Sequence, residues 1–353
     1  MQFPRQEKPP VGIVFDCDMG NRIDDALALA LLYGFDGKNE ARVVSVSVSK
    51  SNLQAAAFCE VVGRFYAGAV SGAFVSFRRT LPVGLSTDAR MPEDTPMLTV
   101  PLSKRDGEGK LVYDHSILKL NDTAETTALI RNTFTAQHDQ NCIVVLAGPA
   151  TNLVKVLDLP GSKDLISRKV RFLSLMGGAY PNGQPELSIK TDVPAAKRLF
   201  AQWPTPIVAS GHDIGEALLY PASSIEKDFA WSPNHPIVDA YRAHKPMPYD
   251  SPTWDMSAVL HAVRPDAGYF KLSDPGTISV LDDGRTKFTT STVGKHRYLI
   301  LDPAQKERII QTFTEIASAK PVPRQPRRRL QQDQQQQEQQ QQQKPAELPL
   351  KPL

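Results

Sequence analysis

From Val11 onward the chain alternates short, mainly apolar runs with longer amphipathic ones. Val11-Gly-Ile-Val-Phe15, Ala41–Val48, Cys142–Ala147, Val170–Met176 and Pro206–Ala209 are four to eight residues long and mostly rich in β-branched side chains. That length and content predict buried strands. Asp24–Leu32, Leu53–Tyr66, Ala124–Ala136 and a stretch opening at Asn152 carry helical spacing instead. Helices between buried strands imply an α/β fold, a mainly parallel open sheet covered on both faces. In such sheets ligands bind beyond the carboxyl ends of the strands, so polar residues at those ends are the ones to weigh. No linker rich in Pro, Gly or Ser divides residues 11–316. The sequence therefore predicts a ten-residue N-terminal extension and one domain over 11–320. After Lys320 come Pro321-Val-Pro, Arg327-Arg-Arg329 and a glutamine tract to Gln343, a composition expected to form a disordered tail over 321–353.

Charge changes this picture only at the tail. Residues 321–353 hold six basic and three acidic side chains, which accounts for the whole net charge of +3. The predicted domain is balanced, so no nucleic-acid surface is expected on it. No apolar run reaches the roughly 20 residues that span a bilayer, and Met1–Pro10 lacks the apolar core of a signal peptide. A cytoplasmic protein is expected, or an exported one if a leader has been trimmed. Cys17, Cys59 and Cys142 show no metal-ligand spacing and read as buried free thiols.

Candidate chemistry concentrates in Phe15-Asp-Cys-Asp-Met-Gly-Asn-Arg-Ile-Asp-Asp25. Four aspartates between a strand and a helix repel one another unless a cation or several donors compensate. Oxygen ligands without His or Cys favour a hard ion such as Ca²⁺ or Mg²⁺. Asp24 and Asp25 also suit a helix N-terminus, which needs no metal to explain it. The D-x-D after a strand is similar to the opening of haloacid dehalogenase phosphatases, but Met19-Gly20 follows here and no later paired acidic motif is evident.

Further blocks occur in order along the chain: Leu81-Pro-Val-Gly84, Ala147-Gly-Pro-Ala-Thr-Asn152, Met176-Gly-Gly178 with Pro185-Glu186 and Asp192-Val-Pro-Ala-Ala196, and Trp254-Asp-Met-Ser-Ala-Val-Leu260. Together with Asp16–Ala26 they resemble the inosine/uridine-preferring nucleoside hydrolase family over roughly residues 11 to 300. The resemblance implies hydrolysis of the N-glycosidic bond of a small-molecule ribonucleoside, with Ca²⁺ as cofactor. It places the ion on the side chains of Asp18, Asp25 and Asp255 and the main-chain carbonyl of Thr151, with Asp24 one position from the ligand role. Asp18 becomes the base that takes a proton from the attacking water. Asn52, Asn182, Glu186 and Asp24 become ribose contacts, and Asp16 a brace behind the loop. Trp254 becomes a stacking surface that leans the enzyme towards purines. His212, at a strand end, is a better candidate acid than His261. A homo-oligomer is compatible with this reading.

Two departures qualify the resemblance. Three residues, Asn21-Arg22-Ile23, separate Gly20 from the paired aspartates where the common signature has one. Against a longer G-N-D-x-D-D version of the loop, Arg22 stands in place of an aspartate, and a guanidinium there competes for the carboxylates. Ser188 stands where the family has an Asn on the ribose. The alternative to an active enzyme is a binding homologue of the same fold. An Arg22–Asp18 ion pair in an empty metal site favours the binder; an Arg22 turned out of the pocket favours the enzyme.

Overall fold

The computed structural model describes residues 9–68, 81–88 and 90–321. The expected tail and most of the expected N-terminal extension lie outside the described residues. In chain order the elements are β1 (Val11–Cys17), α1 (Ile23–Gly37), β2 (Ala41–Val48), α2 (Leu53–Gly68), β3 (Val83–Leu85) and α3 (Pro96–Ser103). Next come β4 (Ala124–Glu125), α4 (Thr126–Ala136), β5 (Cys142–Ala147), α5 (Thr151–Asp158), α6 (Ser162–Lys169) and β6 (Val170–Met176). After them follow α7 (Leu187–Thr191), α8 (Val193–Gln202), β7 (Ile207–Ser210), α9 (His212–Ala217), β8 (Leu219–Tyr220) and α10 (Ala222–Lys227). The described chain closes with α11 (Pro236–His244), β9 (Ser251–Pro252), α12 (Trp254–Val263), β10 (Phe270–Leu272), β11 (Gly276–Val280), β12 (Thr286–Thr290), β13 (His296–Leu301) and α13 (Lys306–Ala317).

The main sheet runs β12-β11-β13-β7-β6-β5-β1-β2-β3-β4, with β10 against β13. It is parallel from β4 across to β13 and antiparallel only among β10 to β13. This is the expected α/β arrangement, and the antiparallel edge adds to it. There β11 reads buried-exposed-buried, the mark of a strand covered on one face. The expected helix at Ala124 starts later. Ala124 and Glu125 form the edge strand β4, and the Glu125 carboxylate caps α4 by accepting from the N–H groups of Thr127 and Ala128. A capping acid must sit outside the helix it caps.

Strand order reverses at β1, which lies between β5 and β2. Alternate side chains of β1 serve opposite faces. Ile13, Phe15 and Cys17 join one core with α1, α2, α11 and α12. Val14 joins the other with α4, α5 and α8. Helix α1 is rich in Ala and Leu and nearly all of it is buried, so it is an internal helix rather than a surface one. Gly20 sits at φ +106°, and a Cβ there would lie 2.4 Å from Leu98 Cδ1, so only glycine turns the chain from β1 towards α1 at this point.

Helix α1 packs against α13 through Gly34, where an added Cβ would come within 2.1 Å of the Ile316 carbonyl oxygen. Alanine at this position gains helix propensity but forces two backbones apart. Gly34→Ala is expected to destabilise by about 1–3 kcal/mol, the usual range for overpacking. Thermal melting checks this, and an unchanged or higher midpoint refutes the close approach.

Candidate active site

Two helix N-termini meet at the carboxyl end of β1. The first turn of α1 carries Asp24 and Asp25, and the first turn of α12 carries Asp255. The main-chain N–H of Asp255 donates to Asp24 Oδ2 at 3.1 Å, tying the helices together. One carboxylate oxygen from each of Asp24, Asp25 and Asp255 lies within 4.8 Å of the others, and all three side chains are buried. Helix dipoles favour negative charge at such a place, but only partly. Burial raises the pKa of Asp24 to about 6 and those of Asp25 and Asp255 well above the ordinary value, and neighbouring acids push the latter two further. Asp25 Oδ1 is buried without a hydrogen-bond partner. Three oxygen donors, one of them unsatisfied, form a set that fits a hard divalent ion.

Asp18 stands beside this triad. Burial raises its pKa to about 6, opposed by a hydrogen bond from Asn21. That bond runs from Asn21 Nδ2 to Asp18 Oδ2 at 2.8 Å, while Lys50 Nζ donates to Asn21 Oδ1 at 3.1 Å. Lys50 is only 1% exposed, and burial lowers its pKa against the pull of Asp18 and other acids. Neither residue has a role expected from the sequence, although Lys50 is a cation just past the end of β2, where site residues are to be sought. Asp16 lies behind the loop, pointing to the face opposite Phe15. Ser47 Oγ and Asn152 Nδ2 donate to its Oδ1 at 2.5 and 2.9 Å. Burial still raises its pKa to about 7.

Asp18, Asn21, Arg22, Asp24, Asp25 and Asp255, with Met176, Glu186, Leu187, Ser188 and Trp254, line a narrow recess. Glu186 caps α7 by accepting from Ser188 N at 2.9 Å and Ile189 N at 3.2 Å, so its carboxylate is already engaged. Arg22 does not pair with Asp18. Its guanidinium carbon lies 4.1 Å from the centre of the Trp254 ring. His212 stacks on the same indole at 5.4 Å and 13°, and its Nε2 contacts Glu216 Oε1 at 3.0 Å. Trp254 is therefore not a bare stacking surface.

Four expected site residues, His212, Asn52, Asn182 and Thr151, do not line the recess. Asn52 caps α2 through Ala55 N and donates to Asp94 Oδ1 at 2.6 Å and Pro92 O at 2.9 Å. Asn182 is exposed and bridges to Lys287. The Thr151 hydroxyl donates to Asp192 Oδ2 at 2.7 Å. His261 is buried on α12 against Phe172, away from the recess-lining side chains. The three cysteines are free and buried, as expected. Among the described residues no helix is long and apolar enough to cross a membrane.

The family model of inosine-uridine preferring nucleoside hydrolases matches residues 13–320. The chain belongs to that family. As a nucleoside hydrolase family member it is a hydrolase, and its Asp cluster is one that can hold a metal ion. Solved nucleoside hydrolases share the fold. A purine-preferring ribonucleoside hydrolase from Gardnerella vaginalis superposes with a TM-score of 0.63 at 19% identity, covering 87% of this chain and 98% of the other. A plant nucleoside hydrolase gives 0.60 at 18% identity, covering 88% and 100%. An inosine-uridine preferring nucleoside hydrolase from Bacillus anthracis gives 0.61 at 16% identity, covering 87% and 99%. Among curated proteins none matches the chain.

The raised acid pKa values set the pH dependence of the metal-free protein. His235, His261 and His296, lowered by burial to about 3, 4 and 4, are neutral both folded and unfolded above about pH 7. There Asp16, raised to about 7, still retains part of its proton in the fold that the unfolded chain has lost. The folded state binds more protons, so stability falls as pH rises. In chelator the melting temperature is expected to drop between pH 7 and 8, and Asp16→Asn is expected to flatten the drop. A melting temperature that climbs over this interval contradicts the reading.

Proposed function

We propose that this nucleoside hydrolase cleaves the N-glycosidic bond of ribonucleosides in a calcium-dependent reaction, with a lean towards purines. The observation that carries the proposal is the buried triad of Asp24, Asp25 and Asp255 beside Asp18, on the lining of one recess. Oxygen-only donors and the family's sequence blocks support Ca²⁺ over softer ions. When bound, such a cation offsets the carboxylate charge and supplies Lewis acidity beside it.

In this reading Asp24, Asp25 and Asp255 hold the ion, and Asp18, fixed by Asn21, accepts the proton of the water that attacks the anomeric carbon. The carbon–nitrogen bond breaks with its electron pair going to the base, and the sugar becomes oxocarbenium-like on the way. The acid wall stabilises that positive charge. Glu186 and Ser188 line the wall on which the sugar would lie. His212 reaches the recess only through Trp254, which makes it a support for the indole more than an acid on the base. Arg22 rests on Trp254 and forms no ion pair with Asp18 among the described residues, which removes one ground for the binding-protein alternative, while Arg22 still lines the recess and does not turn out of it.

Free ribose is to be measured after incubation with inosine, guanosine, adenosine and uridine, with calcium or with chelator. Calcium-dependent release is expected, with purines ahead. Asp18→Asn should retain the fold and lose roughly a hundredfold or more of turnover, as expected for a positioned base. Folded, calcium-loaded protein that releases no ribose from any of the four refutes the proposal.

A further inference from the structure

We propose that Arg22 is the residue that reads the leaving base: its guanidinium meets the acceptor edge of a 6-oxopurine and stabilises the negative charge that gathers there as the bond to ribose breaks. This rests on the N-ribohydrolase reading above. Three observations carry it.

The recess is polarised. Its acids are buried, with Asp18, Asp24, Asp25 and Asp255 at most 7% exposed, whereas Arg22 on the same lining is half-buried and open to solvent. Cleavage of an N-glycosidic bond separates charge in the same sense, positive on the sugar and negative on the base. A site complementary to that transition state puts acids at the sugar and a cation at the base.

Arg22 also keeps its donors free. It forms no hydrogen bond or ion pair among the described residues, although it feels the charge of Asp18 and Asp24. The Trp254 ring holds it instead, at 4.1 Å. A guanidinium presents only donors, in a planar fork that matches O6 and N7 of hypoxanthine or guanine. Adenine places an amino donor where O6 would be, and fits less well.

Finally, Arg22 is the wrong residue for its local position. It occupies the N-cap of α1, in extended conformation at φ −138° and ψ 158°, and makes no side-chain capping bond. Ser, Thr, Asp or Asn belongs there, and a positive charge opposes the helix dipole. A local rule broken without a structural gain points to a functional role.

The step balances without another reactant. Water attacks the anomeric carbon and gives its proton to Asp18. The electron pair of the broken bond moves to the base, which leaves as an anion beside Arg22 and takes a proton from solvent, while Asp18 returns its own to solvent.

The test compares inosine with p-nitrophenyl riboside, whose leaving group departs without help, in the calcium-loaded full chain. The readout is the ratio of their kcat/KM values, which does not depend on the folded fraction. Arg22→Gln is expected to lower this ratio roughly ten- to hundredfold, the span of one lost bidentate contact to a base. Arg22→Lys, which keeps charge but not the fork, is expected to fall between and to narrow the preference for inosine over adenosine. A ratio that moves less than twofold in Arg22→Gln overturns the assignment and leaves N-ribohydrolase activity standing. Calorimetry with hypoxanthine and adenine gives a readout free of turnover. Hypoxanthine binding that weakens in Arg22→Gln, in a protein that cleaves neither riboside, upholds base recognition by Arg22 but overturns its role in cleavage together with the hydrolase reading. Equal binding by both chains overturns the assignment.

Discussion

Four carboxylates, those of Asp18, Asp24, Asp25 and Asp255, are buried at one rim of the sheet with no basic side chain paired to any of them among the described residues. Burying one ionised acid is costly, and burying neighbours multiplies the cost. The surrounding structure can be understood as what makes this tolerable. Two helix N-termini aim at the cluster, the Asp255 N–H donates into it, and Lys50 reaches it through Asn21. These devices soften the repulsion without removing it, since all four pKa values stay raised. The remaining repulsion is what a bound divalent cation would offset.

The fold supplies the place where such a cluster can be assembled. Because strand order reverses at β1, connections leave β1 and β5 on opposite sides, and a crevice opens beyond their carboxyl ends. Asp18 and Asp25 follow β1, Glu186 follows β6, and Asp255 arrives from a helix far along the chain that packs against α1. The second face contributes from below. Asp16 turns away from the recess and takes hydrogen bonds from Ser47 on β2 and Asn152 on α5, which pins the first part of the acidic loop to its neighbours. Asp16 thus fixes the loop that carries Asp18, without lining the recess itself.

How much of this was legible in the sequence depends on the range over which each signal acts. The central strands announced themselves as apolar runs, because a strand buried on both faces needs nothing else. The acidic loop was legible for the same reason: four aspartates in ten residues have few uses. Residues given roles by motif alone fared differently. Asn52 and Asn182 took ribose roles from the resemblance, yet Asn52 is committed to Asp94 and to capping α2, and Asn182 faces outward. Amide side chains satisfy loops as readily as ligands, so only geometry separates the uses. Asp24 shows the converse. A single position on a helix decides between ligand and neighbour, and here both Asp24 and Asp25 reach the same oxygen cluster, because Asp255 comes in from α12 close enough to meet both. Lys50 and the stacking of Arg22 on Trp254 depend on long-range packing, which periodicity does not encode.

Arg22 first appears to conflict with a cation site a few residues away. The conflict is resolved by where the longer loop places it. Its influence on the acids is graded: for Asp18 it ranks below burial, the Asn21 hydrogen bond and two neighbouring acids, and it is not among the leading influences on Asp25 or Asp255. A guanidinium paired directly to Asp18 would have neutralised the base and displaced an ion together. Held on an indole instead, it forms no ion pair with the triad and keeps a positive group on the recess lining. Moving a charge a few ångströms from a contact pair to an aromatic face weakens its coupling to the acids. The same substitution that looks disabling in an alignment of motifs thus becomes compatible with a metal-assisted hydrolase, provided the aromatic residue that anchors it sits next to the last acid of the cluster. Trp254 immediately precedes Asp255, so one helix turn fixes both.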